Sequence, residues 1–365
     1  MKYGICTFYY KNRNYGANLQ AYALQKVVES FGMQAEMISY TNRTRLYNSL
    51  AELKHKAKKN AILSDEIASR DTSIDRFNRS IPHSKLYYSN TIEKANAGYD
   101  GFIVGSDQVW NPDWINNCMS LAFVAPEKRT VAYAVSTGKI TLNDVQKRKL
   151  RIALENTDYI SIREKESIPA LQELTVKRIQ HTLDPTLLLD RTQWNAICAG
   201  RLIDEDYMFC YFLGNNENLR KIARQYAEKR HLKLVALPYL NGAYRAVDDG
   251  FGDCQLFDIA PGDFLSLIKH ASFVMTDSFH GSVFCHIYGT EFAVSGGGKD
   301  EMGCRMLSLT ELFGTKNRYI QEHDDVTVDA LIGMENEPMV LDTAKYESMR
   351  QKSLAFLREA LENDS

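Results

Sequence analysis

The feature that most constrains this chain is an alternation of short apolar runs with segments of helical period. Gly101-Phe102-Ile103-Val104, Val131 to Val135, Tyr159-Ile160-Ser161-Ile162, Tyr207 to Leu213, Leu234-Val235-Ala236-Leu237, Ser272-Phe273-Val274-Met275 and Phe292-Ala293-Val294 read as buried strands. Between them, apolar residues recur at helical spacing. Leu24, Val27, Val28 and Phe31 fall at i, i+3, i+4 and i+7 before Gly32, and Leu219, Ile222, Ala223, Tyr226 and Ala227 share a face. Strand-like Tyr3 to Phe8, that first helix and a second strand at Met37-Ile38-Ser39-Tyr40 make an opening βαβ unit. A chain of 365 residues exceeds the usual size of one core, so an α/β protein of two Rossmann-like domains is expected. The domains are placed at 1–188 and 189–335, with a last helix near Thr343 to Glu362, in segment 336–365, packing back on the first.

Composition narrows the function classes. Apolar residues at 44% and charged residues at 25% suit an ordinary globular protein, and a net charge of -2 gives no reason to expect nucleic acid. The start Met1-Lys2-Tyr3-Gly4-Ile5-Cys6 lacks a signal-peptide pattern, and no apolar run approaches bilayer length. Seven scattered cysteines without a C-x-x-C pair predict buried thiols, a reducing cytoplasm and no zinc. There is no G-x-G-x-x-G after the first strand, no P-loop around Gly298-Lys299, and no H-E-x-x-H or G-x-S-x-G. Asp204-Glu205-Asp206 matches a metal triplet but reads as solvated surface, and no cofactor or metal is expected. Between Thr41 and Asn90 lies a helical insertion rich in Arg43, Arg45, Lys54, Lys56, Lys58 and Lys59. It reads as a solvated basic face, with an acidic acceptor or peripheral membrane contact as the other reading.

Candidate site residues gather where strands end. Thr276-Asp277-Ser278-Phe279-His280-Gly281 joins a strand to a helix capped by Asp277 or Ser278, which places His280 in its first turn beside unpaired N–H groups. Taken alone, the stretch also fits a plain cap with a packed histidine. Gly16, with Asn14, Asn18 and Gln20, occupies the first strand-to-helix turn, where it either admits a ligand or relaxes the turn. Gly105-Ser106-Asp107-Gln108-Val109-Trp110-Asn111 is a polar turn at the carboxyl end of a strand, the usual ligand position of an open α/β sheet. Arg163 ends another strand, ready for a carboxylate or phosphate or paired with Glu164 or Glu166. Asp184-Pro185-Thr186 closes the first half, and Lys299 and Arg305 follow the strand at 292–294. Two such domains face each other across a cleft, with a small anion on one side and a polyhydroxyl acceptor on the other.

Four segments in order carry a resemblance. They are Asn14-Tyr15-Gly16-Ala17-Asn18-Leu19-Gln20-Ala21-Tyr22, Ile103-Val104-Gly105-Ser106-Asp107-Gln108-Val109-Trp110-Asn111, Ser161-Ile162-Arg163-Glu164-Lys165-Glu166-Ser167 with Asp184-Pro185-Thr186, and Thr276-Asp277-Ser278-Phe279-His280-Gly281. In these the chain resembles the polysaccharide pyruvyl transferase family. The resemblance implies a GT-B-like fold without a required metal, and transfer of pyruvate from phosphoenolpyruvate to hydroxyls of a cell-surface glycan or its lipid-linked precursor. His280 and Arg163 are then the catalytic candidates, Ser278, Gly281, Lys299 and Arg305 hold the donor, and the residues from 14–18, 105–111 and Asp184 form the cleft and acceptor side. A cytoplasmic protein, at the inner face of the membrane if its acceptor is lipid-linked, goes with that chemistry. Some members carry arginine at the position of Ser278, which here shifts the phosphate load to Lys299, Arg305 or Arg163. A nucleotide-sugar glycosyltransferase and a non-catalytic partner subunit are the alternatives.

Overall fold

The computed structural model describes residues 1–43, 64–240, 244–296, 303–321 and 326–362. Lys299 and most of the basic stretch near residues 43–60 lie outside the described residues. The strands of the first half are β1 (Lys2–Cys6), β2 (Gln34–Met37), β3 (Tyr40–Thr41), β4 (Tyr87–Tyr88), β5 (Gly101–Val104), β6 (Arg129–Val135), β7 (Tyr159–Ile162) and β8 (Ile179–His181). Those of the second are β9 (Tyr207–Tyr211), β10 (Lys233–Ala236), β11 (Cys254–Gln255), β12 (Phe273–Thr276), β13 (Phe292–Gly296) and β14 (Tyr319–Gln321). They form two parallel six-stranded sheets, ordered β2-β1-β5-β6-β7-β8 and β11-β10-β9-β12-β13-β14, with β3 and β4 paired separately.

The expected second strand is displaced. Gly32, with φ of +81°, turns the chain sharply after the helix Tyr15–Ser30, so Gln34 already pairs with Lys2 and the strand ends at Met37. Tyr40–Thr41 leaves the sheet to pair with Tyr87–Tyr88.

Strand order fixes where a ligand can sit. From β1 the chain moves to one side and returns to β5 on the other, and from β9 it does the same with β10 and β12. The crevices beyond the carboxyl ends of β1/β5 and β9/β12 are therefore the switch points at which open α/β sheets receive ligands. One core holds them together. Tyr15 stacks on Phe264 at 5.0 Å and donates a hydrogen bond to the Ile259 carbonyl at 3.0 Å, while Trp194 meets Phe284 edge-on at 4.9 Å. The helix Thr343–Glu362 lies against the first sheet: Tyr3 Oη donates to the Leu361 carbonyl at 2.7 Å, and the Leu183 N–H donates to Ser353 Oγ at 3.0 Å.

His286 carries a pH dependence through this core. It is 2% exposed, with Nδ1 2.8 Å from the Ser282 carbonyl and Nε2 2.8 Å from Thr315 Oγ1, and burial lowers its pKa to about 4. A folded pKa below the unfolded value of about 6.5 gives stability that is fully present above pH 6.5 and lost as pH falls towards 4. Thermal melts are expected to drop across that window, and His286→Gln to flatten the drop. An equally steep descent in the variant would rule His286 out as its source.

Candidate functional site

The two switch points open into one cleft of about 660 Å³. Its first-half wall is Thr7 to Asn14 after β1, Asp107 and Gln108 after β5, and Arg163 after β7. Its second-half wall is Leu213 after β9, Tyr239 after β10, Ser278 to His280 after β12, and Arg305 after β13. Lys11, Arg13, Arg163 and Arg305 face a single lining carboxylate, Asp107, among the described residues. The cleft is suited to an anion.

Two helix starts meet there. Asn14 Oδ1 accepts from the Ala17 N–H at 3.2 Å and caps the helix Tyr15–Ser30. Ser278 Oγ accepts from the Gly281 N–H at 3.3 Å and caps the helix Phe279–Tyr288. Asp277 has a different task, since its carboxylate accepts from the N–H groups of Leu213 at 2.5 Å and Gly214 at 2.8 Å and ties β12 to the loop after β9. The helix Phe279–Tyr288 approaches Tyr15–Ser30 so closely that His280 lies directly on Gly16. A Cβ at residue 16 would sit 2.1 Å from His280 Nδ1 and 2.4 Å from its Cγ. Only glycine leaves room for the imidazole there, and both helix N-termini offer partial positive charge near it.

Behind His280 is a buried ionic network. Its Nε2 lies 3.6 Å from Asp184 Oδ2, beyond hydrogen-bond range, and has no hydrogen-bond partner among the described residues. Asp184 accepts from Arg163 Nη1 at 3.0 Å, Ser106 Oγ at 3.1 Å, the Thr186 N–H at 3.0 Å and Thr186 Oγ1 at 2.7 Å. Burial pushes this carboxyl group up, but His280, Arg163 and Thr186 outweigh burial and hold it well below the usual carboxylate range. Asp184 is a fixed anion facing the imidazole.

Arg163 is divided between network and cleft. Nε donates to Glu164 Oε1 at 2.8 Å, the guanidinium lies 4.5 Å from the Phe279 ring centroid, and Asp107 Oδ1 is 3.6 Å away. Nη2 is buried without a hydrogen-bond partner among the described residues. Arg305 is buried nearby, and burial together with the charge of Arg163 pulls its pKa below the ordinary guanidinium value. An anion between these guanidinium groups would relieve their repulsion and give Nη2 an acceptor.

The sequence-derived candidates divide into cleft and support. Asn14, Asp107, Gln108, Arg163, Ser278, His280 and Arg305 line the cleft. Gly16 and Gly281 make room at the helix starts, the latter with Thr276 Oγ1 3.0 Å from where a Cβ would stand. Asn18, Gly105, Ser106, Trp110 and Asn111 were placed in the cleft from sequence but stand behind its wall. Asn18 Nδ2 donates to the Asn12 carbonyl, and a Cβ on Gly105 would meet the Tyr133 carbonyl oxygen at 2.1 Å. Ser106 bonds Asp184 and the Ala134 carbonyl, Asn111 bonds Gln108, and Trp110 is fully buried with Nε1 donating to the Met119 carbonyl. Trp114, 51% exposed, is the tryptophan that lines the cleft. Sequence reasoning also missed Phe279, Leu213, Tyr239 and Tyr9 to Arg13, of which only the cluster of polar and aromatic side chains just after β1 left a signal. Asp204, Glu205 and Asp206 are exposed as expected, and no acidic, histidine or cysteine cluster suited to a metal occurs among the described residues. No described helix is long and apolar enough to cross a membrane.

Solved structures place this architecture. A Listeria monocytogenes protein assigned as a UDP-N-acetylglucosamine 2-epimerase is similar over all of this chain and 97% of its own, with a TM-score of 0.59 at 12% identity. The UDP-GlcNAc 2-epimerase of Methanocaldococcus jannaschii covers 97% of this chain and 99% of its own, with a TM-score of 0.56 at 12% identity. The Neisseria meningitidis UDP-GlcNAc 2-epimerase bound to UDP-GlcNAc covers 99% of each, with a TM-score of 0.53 at 11% identity. At such identities the likeness is one of fold, and it is the GT-B type with two Rossmann-like units. No curated protein matches the sequence. The sequence model of the polysaccharide pyruvyl transferases matches residues 14–296, which runs from the cap of the first helix to the end of β13 and includes part of each wall of the cleft, and the chain belongs to that family.

Proposed function

We propose that this protein transfers pyruvate from phosphoenolpyruvate onto a pair of sugar hydroxyls as a ketal, on a surface glycan or its lipid-linked precursor in the cytoplasm. The observation that carries the reading is the pair of buried guanidinium groups, Arg163 with its open Nη2 and Arg305, set beside His280 where two helix N-termini meet. Phosphoenolpyruvate brings a phosphate and a carboxylate on adjacent positions, which such donors suit. The load that an arginine at position 278 carries in some members falls here on Arg163 and Arg305.

The reaction needs proton movement and charge control. A proton goes to the methylene carbon, a sugar hydroxyl adds to C2, and the C2–O bond to phosphate breaks. The second hydroxyl then closes the ketal, so that one hydroxyl proton in sum ends on the new methyl group and the other on phosphate. His280 carries the proton transfer in this reading, with the Asp184 carboxylate 3.6 Å from its Nε2. Asp184 itself stays ionised because Arg163, Ser106 and Thr186 supply its hydrogen bonds.

Donor identity is tested by ligand-dependent melting. Phosphoenolpyruvate at about 100 times its Kd is expected to stabilise the protein by about 2.7 kcal/mol, and a panel of nucleotide sugars to leave the melting temperature unchanged. Stabilisation by a nucleotide sugar with none from phosphoenolpyruvate would transfer the site to glycosyl chemistry.

A further inference from the structure

A smaller pocket of about 200 Å³ adjoins the cleft. Tyr9, Tyr10 and Lys11 line both, so the two spaces share a wall on the side of the first sheet. Asn78, near the end of the helix Ser64–Ser80, lines only the smaller one and is 5% exposed. Both atoms of its side-chain amide, Nδ2 and Oδ1, are buried without a hydrogen-bond partner among the described residues. A native protein rarely leaves a donor and an acceptor together in that condition without a use for them. The residue is held in place, since Tyr9 Oη donates to the Asn78 backbone carbonyl at 2.6 Å.

The surrounding chemistry selects the ligand. An amide presents a donor and an acceptor side by side, and two neighbouring sugar hydroxyls, each able to donate and accept, complement that pair. The rings of Tyr9 and His83, 6.2 Å apart at their centroids, together with Tyr10 offer aromatic surface for the C–H face of a sugar. Lys11 and Arg79 stand against Asp75 in this lining, a smaller cationic excess than that of Lys11, Arg13, Arg163 and Arg305 against Asp107 in the cleft. A neutral hydroxyl-rich unit therefore fits it better than a second anion.

We propose that this pocket is an acceptor subsite holding a second sugar unit next to the one modified in the cleft, with Asn78 as its polar anchor. This assignment rests on pyruvyl transfer as the reaction of the cleft and names where its acceptor extends.

The test is saturation-transfer NMR on the full protein with a panel of methyl hexosides and the matching methyl disaccharides. The disaccharides that bind are expected to receive saturation on both rings. In Asn78→Ala the second-ring signal is expected to vanish and the disaccharide Kd to rise about ten-fold, roughly one lost hydrogen bond to a buried group. Asn78→Leu, which replaces the amide by an apolar group of similar size, guards against a folding defect in the alanine variant and should act alike. Saturation confined to one ring, a second-ring signal that survives both substitutions, or no disaccharide bound would overturn the proposal. Melting with phosphoenolpyruvate separates the two readings. If it fails to stabilise the wild-type protein while the second-ring signal still depends on Asn78, the donor assignment falls and the sugar subsite stands.

Discussion

Replacing His280 with alanine is expected to lower phosphate release from phosphoenolpyruvate, with acceptor present, by about 10²–10⁴-fold, the range for loss of a positioned acid or base. The fall belongs in kcat. Arg163 and Arg305 remain in the variant, so donor stabilisation in a thermal melt should persist while turnover is lost. The imidazole lines the cleft with its Nε2 3.6 Å from the fixed carboxylate of Asp184, and no neighbouring histidine stands in for it among the lining residues. Near-normal turnover of His280→Ala would remove it from the chemistry.

Gly16→Ala should be nearly as damaging, by an independent route. The added methyl carbon would stand 2.1 Å from Nδ1, 2.4 Å from Cγ and 2.7 Å from Cβ of His280. Real contacts of carbon with nitrogen or carbon lie well beyond such distances, so the imidazole must leave its place or the two helices must separate. Glycine to alanine inside a helix is otherwise favourable by about 1 kcal/mol, so intrinsic helix stability does not predict a loss. The expected result is a folded protein whose turnover is reduced about 100-fold, since misplacing a reacting group by about 1 Å carries that penalty. Gly16→Ala with wild-type turnover would show that His280 functions away from Gly16.

The fold was largely legible because buried parallel strands leave continuous apolar runs, and those around residues 101–104, 159–162, 207–213 and 272–275 became β5, β7, β9 and β12. The Ser278 cap and the position of His280 in its first turn were readable as well, being local. Strand order was not. Nothing near β1 announces that β5 will pair along its other edge, and that pairing makes the switch point. The contact between Gly16 and His280 was hidden for the same reason, since both residues were visible but their meeting depends on how two domains pack. Trp110 and Trp114 show the limit of reading a polar turn: the first is drawn into the core under β5 and the second is left at the cleft. Phe279 lies between the capping serine and the histidine, and its place under the Arg163 guanidinium is a tertiary fact.

The most direct measurement of the central claim pairs two readouts in one reaction. Purified protein is incubated with phosphoenolpyruvate and a pool of oligosaccharide acceptors, and inorganic phosphate is followed beside mass spectrometry of the glycans. Pyruvyl transfer predicts phosphate that appears only with acceptor, matched one to one by glycans carrying an added pyruvate ketal. Glycans extended by a sugar unit when nucleotide sugars replace phosphoenolpyruvate, with no phosphate released from phosphoenolpyruvate, would contradict it.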